Sequence, residues 1–241
     1  MGAVSRRSLL RLASTPSSQS FFDVEQFRAE PHRLALVREV PVSTLVLGST
    51  QPPELVDPVA MRQREVELAR RHGGGGAVYL EPGSYLWLDA WIPRNDPLWV
   101  VDVSVAAEWV GVWWVDALAN LGPNGFTVHT GRLVPGELGE LVCFAGRGPG
   151  EVFDGARKVV GLSQWRSREG ALFSSCAYVA WDPMPLLELM NIDEYSRAEL
   201  APQLAQVAVG LQELEPPVSD ASRLRELLLR SFPSLGGAAP A

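Results

Sequence analysis

Lysine is almost absent from this chain. Its 241 residues include 21 basic residues, and Lys158 is the only lysine among them. Arginine serves in surface ion pairs as well as lysine does, but it does not replace a compact ammonium group whose pKa can be tuned. Two interpretations of Lys158 therefore stay open: a surface lysine retained by chance, or a position whose chemistry requires an ammonium group.

Cysteine and histidine are also scarce. The chain has two cysteines, Cys143 and Cys176, and three histidines. Two cysteines in a chain of this length do not make a disulfide framework, so each is interpreted as a free thiol. The histidines and cysteines lack the spacing of metal ligands, and no Gly-x-Ser-x-Gly segment occurs. The sequence therefore predicts neither a metal site nor a serine hydrolase.

Long apolar runs are missing as well. No stretch of about 18 uncharged apolar residues occurs, so we expect no membrane span and place the protein in the cytoplasm. The net charge of −7 argues against a surface for nucleic acid. The hydrophobic content of 46% is enough for one substantial core.

The two ends of the chain are expected to lie outside that core. Residues 5–10 resemble the start of a twin-arginine export signal, but the segment that follows is too short and too polar for such a signal. We therefore expect residues 1–30 to be a disordered or wrongly assigned N-terminal tail. Residues 31–233 are expected to form one domain, and residues 234–241 a flexible tail.

The apolar pattern predicts an α+β fold with a central mixed, mostly antiparallel sheet flanked by helices. Asp96-Pro97, followed by apolar residues at helical spacing, predicts a long helix over 98–121 whose tryptophans pack in the core. Residues 77–80 and 85–92 predict a hairpin, and residues 141–144 a strand. The other predicted strands and helices cover 34–40, 44–48, 59–64, 66–69, 126–129, 158–166, 171–179, 185–191 and 219–231.

A glycine-rich loop at 70–76 and Lys158 are the two candidate binding elements. Glycines have no Cβ to block close approach, so the N–H groups of residues 73–76 can converge on an anion or a carbonyl oxygen. Lys158, at the start of a predicted strand, supplies a second, cationic element.

Two segments resemble the signatures of the lipoate–protein ligase and octanoyltransferase family, which shares its fold with the catalytic domains of biotin protein ligases. Residues 70–79, RRHGGGGAVY, resemble the family's RR-x-GGG-A-V signature. Residues 157–166, RKVVGLSQWR, resemble a second signature whose lysine binds the acyl carbonyl. The resemblance covers residues 34–231. The positions that it assigns to acyl or adenylate binding are Arg70, Arg71, His72, Gly73, Gly74, Gly75, Gly76, Ala77, Val78, Gly161 and Gln164.

Within the family, the chain is closest in pattern to the cysteine-dependent octanoyltransferases. These resemble it at Cys143-Phe144, which lies 15 residues before Lys158. The resemblance implies that Cys143 and Lys158 are the catalytic residues: a thiolate nucleophile, and a cation that stabilises both the thiolate and the oxyanion. An octanoyl or lipoyl group would then move from a thioester onto a carrier lysine without ATP.

Other interpretations stay open. An ATP-dependent lipoate–protein ligase would use ATP and Mg²⁺, but residues 148–151, GPGE, replace the Asn-Asp pair of ligases, and residues 80–81, LE, replace their His-Asp. These departures also keep a non-catalytic acyl-binding relative in view. Cys143 has apolar neighbours in the sequence, so a buried, inert thiol is the alternative to a nucleophile.

The resemblance also implies partners. The donor would be an acyl carrier protein or free lipoate, and the acceptor a lipoyl domain or a glycine-cleavage carrier protein, with no nucleic acid or membrane involved. Because such carriers are commonly acidic and this chain is acidic too, docking requires a local basic face. The candidates are Arg70, Arg71, Arg157, Arg166 and Arg168.

Overall fold

Ten strands form two sheets in the computed structural model, which describes residues 11–14 and 17–233. In chain order they are β1 (Arg11–Ser14), β2 (Leu34–Glu39), β3 (Thr44–Leu47), β4 (Glu67–Arg70), β5 (Val78–Leu80), β6 (Tyr85–Pro93), β7 (Thr127–Val128), β8 (Val152–Asp154), β9 (Arg157–Arg166) and β10 (Gly170–Tyr178). The larger sheet has the order β1-β2-β6-β10-β9-β8-β7, and the smaller has the order β4-β3-β5. Among these strands only the β1–β2 and β3–β4 pairs are parallel, which confirms the expected mixed, mostly antiparallel arrangement.

Eight α-helices of the described chain lie around the sheets. They are α1 (Ser18–Phe21), α2 (Glu25–Arg28), α3 (Pro58–Gln63), α4 (Val103–Ala106), α5 (Glu108–Ala119), α6 (Met184–Leu187), α7 (Glu194–Val207) and α8 (Ala221–Ser231). Residues 53–55, 143–145 and 211–213 form short 3₁₀ turns. Within residues 11–14 and 17–233, no helix has the length and the apolar character that a membrane crossing requires.

The largest core lies between the seven-stranded sheet and helices α5 and α8. Strands β6 and β10 are buried almost throughout, which explains why their sequences are apolar runs and do not alternate. Helix α5 buries Trp109, Trp113 and Trp114 in this core, as their helical spacing predicts. The indole of Trp114 also donates a hydrogen bond to the Ser175 hydroxyl on β10, at 2.9 Å.

The predicted helix over 98–121 is too long. Helices α4 and α5 occupy the segment, and residues 98–102 are not helical. Asp96 does not cap a helix, because its carboxylate forms a buried ion pair with Arg33 at 2.7 Å and accepts a hydrogen bond from the Leu98 N–H. Asp102 is the N-cap instead, and its side chain accepts a hydrogen bond from the Ser104 N–H at 2.8 Å. The helical segment therefore begins at Val103.

A hairpin and a strand that were predicted near the glycine-rich loop are absent, although both strands of the hairpin are present. Strands β5 and β6 follow each other in the chain but belong to different sheets, so they do not form the predicted hairpin. Residues 141–144 do not form a strand either. Val142 makes a single bridge to Ala77, and the chain then turns into the 3₁₀ turn at 143–145. Cys143 consequently lies on a turn.

The packed part of the chain begins before the expected boundary at residue 31. Phe21, Phe22 and Phe27 are buried, and the rings of Phe21 and Phe22 meet Trp87 edge-on with centroids 5.4 and 5.8 Å away. Strand β1 lies parallel to β2. Residues 1–10, 15–16 and 234–241 lie outside the described residues, and they include the segment that resembles an export signal and the expected C-terminal tail.

Helix α7 is absent from the sequence prediction. It is mostly exposed, it contains Pro202, and Leu204 is its only buried residue, so it lacks the apolar stripe by which helices are recognised. Its Leu204 carbonyl accepts a hydrogen bond from the indole of Trp181 at 2.8 Å. This contact joins the helix to the segment that follows β10.

Helix α5 approaches the turn before β8 through Gly111. A Cβ at this position would lie 2.4 Å from the carbonyl oxygen of Gly150 and 2.6 Å from a methyl carbon of Val128. We expect Gly111→Ala to lower the free energy of unfolding by about 1–3 kcal/mol, because this overlap outweighs the roughly 1 kcal/mol by which alanine favours a helix over glycine.

Denaturant unfolding measures the effect. Asp116→Ala, at an exposed position of the same helix, is the control and should change the free energy of unfolding by less than about 0.5 kcal/mol. A Gly111→Ala protein as stable as the wild type would contradict the close approach of the helix.

Candidate functional site

A cleft of about 890 Å³ brings together residues that are distant in the sequence. Of the predicted site residues, its walls contain Cys143, Lys158, Gly74, Gly75 and Gln164. Its volume is in the range of small-molecule binding sites. Apolar side chains contribute to the walls, namely Leu55, Leu133, Leu141 and Leu162.

The glycine-rich loop is held in shape by Arg71. The Nη2 atom of this buried guanidinium donates hydrogen bonds to the carbonyl oxygens of Gly74 and Gly76, at 2.7 and 2.8 Å. Between them, Gly75 has a φ of +92°, a conformation that favours glycine. A Cβ on Gly48 would lie 2.0 Å from the Gly75 carbonyl oxygen, so a second glycine is required beside the loop.

The loop presents unpaired backbone donors. Within the described residues, no hydrogen-bond acceptor receives the N–H groups of Gly74, Gly75 or Gly76. Gly76 is buried, and a buried backbone N–H is almost always paired in a folded protein. The N–H groups of Gly74 and Gly75, which line the cleft, are therefore suited to an oxygen atom of a bound ligand.

Cys143 lies against this loop. Its N–H donates to the Ala77 carbonyl at 3.0 Å, which joins the 3₁₀ turn to the end of the loop. A Cβ on Gly75 would lie 3.8 Å from the Cys143 sulfur, so an ordinary side chain there would touch the thiol. Cys143 is half-buried and lines the cleft, whereas a wholly inert core thiol would be enclosed.

Lys158 is not a surface lysine. Its side chain is 1% exposed, and its ammonium lies 2.7 Å from a carboxylate oxygen of Glu151. The same nitrogen donates a hydrogen bond to the Cys143 backbone carbonyl at 2.8 Å. The rings of Phe144 and Phe153 lie on its flanks, with centroids 5.7 and 5.9 Å from the nitrogen. The ammonium and the thiol therefore share one wall of the cleft.

Glu151 is the site residue that sequence reasoning missed. Its carboxylate is 3% exposed and accepts hydrogen bonds from the N–H groups of Gly148 at 2.6 Å and Leu162 at 3.2 Å, in addition to the Lys158 ion pair. The available signal was an acidic residue in the short Gly-Pro-Gly-Glu turn before the lysine strand. Its importance depends on Lys158 pointing back toward that turn.

The remaining predicted residues surround the cleft without lining it. Arg70 turns away and donates to the carbonyls of Gly48 and Gln51, at 2.8 and 2.7 Å. His72 is exposed, with its ring 5.6 Å from that of Trp165. The others support the walls by close packing or burial, namely Gly73, Gly76, Ala77, Val78 and Gly161.

Gln164 connects the cleft to the loop before helix α4. With its amide nitrogen facing the Val103 carbonyl, the two atoms are 3.1 Å apart, and the amide oxygen then accepts from the Arg166 guanidinium at 2.7 and 2.9 Å. Arg166 also donates to the Val100 carbonyl at 2.7 Å. This chain of contacts holds the end of β9 against the loop.

The five arginines expected to form a docking face do not lie together. Arg70 and Arg71 bind backbone carbonyls around the glycine loop. Arg157 and Arg166 lie at opposite ends of β9, which the rise per residue of a strand separates by about 30 Å. Arg168 is exposed in the β9–β10 turn.

Cys176 lies in the interior of the sheet. It is 4% exposed on β10 and packs in a cluster with Phe144 and Tyr178. Burial raises the pKa of its thiol well above the ordinary value. Cys176 is therefore a packing residue and is unsuited to act as a nucleophile.

Comparisons with known proteins agree with this architecture. The model of the lipoyl protein ligase A/B catalytic domain matches residues 22–232. A search of curated proteins finds no match. A bipartite lipoate protein ligase from Thermoplasma acidophilum, described with its E2 lipoyl domain, gives a TM-score of 0.71 at 21% identity, over 92% of this chain and 81% of that chain.

Two further structures are similar at 20% identity, each over 92% of this chain and 83% of the other. A lipoate-protein ligase A bound with ATP gives a TM-score of 0.70. A putative lipoate protein ligase from T. acidophilum with bound lipoic acid gives 0.68. These likenesses show the fold that the sequence signatures implied.

We expect substitutions of Lys158 and Glu151 to have strongly non-additive effects on the free energy of unfolding. Glu151→Leu should lower the free energy of unfolding by about 3–5 kcal/mol, because it leaves a buried ammonium without its counter-charge. The double variant Glu151→Leu/Lys158→Met should recover most of this loss, since an apolar pair of similar volume avoids the desolvation of both charges.

A double-mutant cycle measured by denaturant unfolding tests the coupling. The exposed pair Arg223–Glu226, at 3.2 Å, is the matched control and should couple by less than about 1 kcal/mol. Additive effects at Lys158 and Glu151 would show that the two charges do not interact in solution.

Proposed function

The chain belongs to the lipoyl protein ligase A/B catalytic-domain family, which comprises ligases and transferases, and we propose that it transfers an octanoyl or lipoyl group from a thioester to a lysine of a carrier domain. One observation carries the proposal. The only lysine of the chain donates a hydrogen bond to the backbone carbonyl of Cys143, and both residues line the same cleft as Gly74 and Gly75 of the glycine loop.

Two steps account for the transfer. The Cys143 thiolate attacks the thioester carbonyl carbon, the bond from that carbon to the donor sulfur breaks, and the donor leaves as a thiolate that takes up a proton. The neutral amine of the acceptor lysine then attacks the acyl-cysteine. A C–N bond forms, the C–S bond to Cys143 breaks, and the proton from nitrogen is lost to the departing sulfur or to water.

The donors around Cys143 suit the charge that develops in both steps. The carbonyl oxygen of the acyl group becomes an oxyanion, and preorganised hydrogen-bond donors stabilise it most when they need not reorganise. The unpaired N–H groups of Gly74 and Gly75, which line the cleft, and the Lys158 ammonium are the candidates for this role. Leu55, Leu141 and Leu162 provide apolar surface for the acyl chain.

The charges of the cleft favour a thioester donor over a nucleotide. Among the described residues, the lining includes Glu137, Glu140 and Glu151 but no arginine, and Lys158, the only basic residue of this lining, is paired with Glu151. A triphosphate is bound by unpaired cations together with N–H donors, and the described lining offers the N–H groups of Gly74 and Gly75 without an unpaired cation. Among the described residues, no group of three or more histidine, cysteine or acidic side chains is arranged to hold a metal ion.

The carrier domain is expected to be a lipoyl domain or a glycine-cleavage carrier protein. The bipartite ligase of T. acidophilum is described together with its E2 lipoyl domain, and this chain has the same fold. An acyl carrier protein is the corresponding donor in our scheme. Free lipoate would need prior activation, because a carboxylate is not attacked by a thiolate.

An ATP-dependent lipoate ligase is the second candidate. The observation that favours it is the shared fold with a lipoate-protein ligase A bound with ATP. It requires that free lipoate, ATP and Mg²⁺ support pyrophosphate exchange on the purified protein. A non-catalytic acyl-binding relative would instead bind octanoate or lipoate, seen as a thermal shift, without turnover.

Acylation of Cys143 is the direct test. Wild-type protein mixed with octanoyl-loaded acyl carrier protein should gain the mass of one octanoyl group on the Cys143 peptide, and adding a lipoyl domain should transfer it. Cys143→Ser should lose the adduct. Lys158→Met should slow transfer by at least about 100-fold, as expected for loss of an oxyanion donor.

Cys176→Ala is the matched control, because it removes the other thiol, which is buried in the sheet. It should keep both the adduct and the transfer. Wild-type protein that stays unmodified while a known octanoyltransferase is acylated in parallel would refute the proposal. Pyrophosphate exchange in that case would favour the ligase.

A further inference from the structure

Arg71 carries a buried positive charge that no carboxylate neutralises. It is 4% exposed, and within the described residues it forms no ion pair. Its Nη2 and Nε atoms donate to backbone carbonyls of the glycine loop, and its Nη1 atom is buried without a hydrogen-bond partner in the described chain. Buried charges are normally paired, so an uncompensated guanidinium calls for an anion.

Lys158 is poorly placed to supply net charge to the Cys143 sulfur. Its ammonium is paired at 2.7 Å with Glu151, and both side chains are buried. A buried ion pair acts on a third group as a dipole, and its field falls off faster than that of a single charge. The ammonium also points at the Cys143 carbonyl oxygen, from 2.8 Å.

Arg71 and Cys143 approach each other across Gly75. A Cβ on Gly75 would lie 3.1 Å from the Arg71 Nη2 atom and 3.8 Å from the Cys143 sulfur. The nitrogen and the sulfur are therefore no more than about 7 Å apart, within the distance over which charges interact at physiological ionic strength. Gly75 has no side chain to fill the space between them.

The field of Arg71 also reaches the neighbouring strand. Burial raises the pKa of Cys176 and of Tyr178 on β10, and the Arg71 charge opposes the rise in both. The ionisable groups that face Cys143 are thus Arg71 from the glycine loop, Lys158 from β9 with Glu151 beside it, and Cys176 and Tyr178 from β10. Glu137 and Glu140 line the same cleft.

We propose that Arg71 is a positioning residue that stabilises the Cys143 thiolate by its charge, while Lys158 is held by Glu151 for the oxygen of the acyl group. The proposal rests on the proposed function in taking Cys143 as the nucleophile. It divides between two residues the two tasks that the family resemblance implies for Lys158 alone. The same guanidinium shapes the glycine loop, so one residue would prepare both the nucleophile and the backbone donors.

The test measures the reactivity of Cys143 toward iodoacetamide as a function of pH, by quantifying the alkylated Cys143 peptide. Only the thiolate reacts, so the midpoint of the rate profile reports its formation. Arg71→Gln should move the midpoint upward by about one pH unit or more, since it removes a buried charge within about 7 Å of the sulfur. Arg71→Lys should bring the midpoint most of the way back to the wild-type value, because it keeps the charge while losing the forked contact to the loop.

Arg70→Gln is the matched control. Arg70 also binds backbone carbonyls, but those of the 48–51 segment, so its removal should leave the midpoint within a few tenths of a pH unit. Glu151→Leu/Lys158→Met, which removes the ion pair without leaving a single charge, should also cause only a small shift. An unshifted Arg71→Gln midpoint would overturn the proposal.

A second route keeps the inference testable if Arg71→Gln does not fold. In that case the Glu151→Leu/Lys158→Met variant shows which residue supplies the charge. A midpoint close to that of the wild type would support Arg71 as the source of charge, and an upward shift of about one unit would assign that role to Lys158 and overturn the proposal. The assay uses no acyl donor. An Arg71-dependent midpoint without any acylation by octanoyl carrier protein would therefore refute the proposed function and leave this inference standing.

Discussion

The buried ion pair between Lys158 and Glu151 is the interaction on which the site depends. Glu151 accepts hydrogen bonds from Gly148 in its own turn and from Leu162 on β9, so one carboxylate joins two backbone segments to the ammonium. The ammonium in turn contacts the Cys143 carbonyl. Removing two charges from water costs several kcal/mol per ion, and the attraction between the two charges offsets that cost only together with these added contacts.

This constraint explains several features of the surrounding fold. The turn that carries Glu151 is packed against helix α5 at Gly111, where a side chain would overlap the Gly150 carbonyl. The 3₁₀ turn that carries Cys143 is joined to the glycine loop through Ala77. The helix, the loop and the lysine strand are therefore coupled through short backbone contacts, and a small shift in one of them would alter the geometry of the others.

Local patterns in the sequence predicted the parts that local physics controls. The glycine loop and Lys158 stood out because glycine and lysine have properties that no other residue replaces here. Asp57-Pro58 likewise predicts the start of α3, and the Asp57 side chain caps this helix. The two signatures supplied the rest of the framework by resemblance.

Contacts between residues that are distant in the sequence account for the predictions that were wrong. Strand β5 pairs with β3 and not with the next strand in the chain, β6. An apolar run of three residues does not specify which strand will be its partner. Asp96 had the sequence of a helix cap, but Arg33 occupies its carboxylate. Glu151 lies in the segment that replaces the Asn-Asp pair of ligases, and its role depends on the ion pair with Lys158, which the sequence does not show.

The pair Arg70-Arg71 illustrates the same limit at the site itself. The two residues are adjacent at the end of β4, where successive side chains point to opposite sides. Arg70 therefore holds the 48–51 segment, while Arg71 turns under the glycine loop toward Cys143. A signature treats them as equivalent, although the alternation of the strand makes one a structural clamp and places the other near Cys143.

The position of Arg71 on one side of Cys143 and of Lys158 on the other affects the chemistry that this site can support. In our scheme the anion that needs stabilising moves from the Cys143 sulfur to the acyl oxygen and back, so a cation fixed on each side serves better than one that has to move. Arg71 and Lys158 approach Cys143 from the glycine loop and from β9, respectively. Glu151 cancels most of the charge of the second cation, which leaves directional hydrogen bonding as its main contribution. A neutral thioester can enter such a cleft without meeting a strong net positive field.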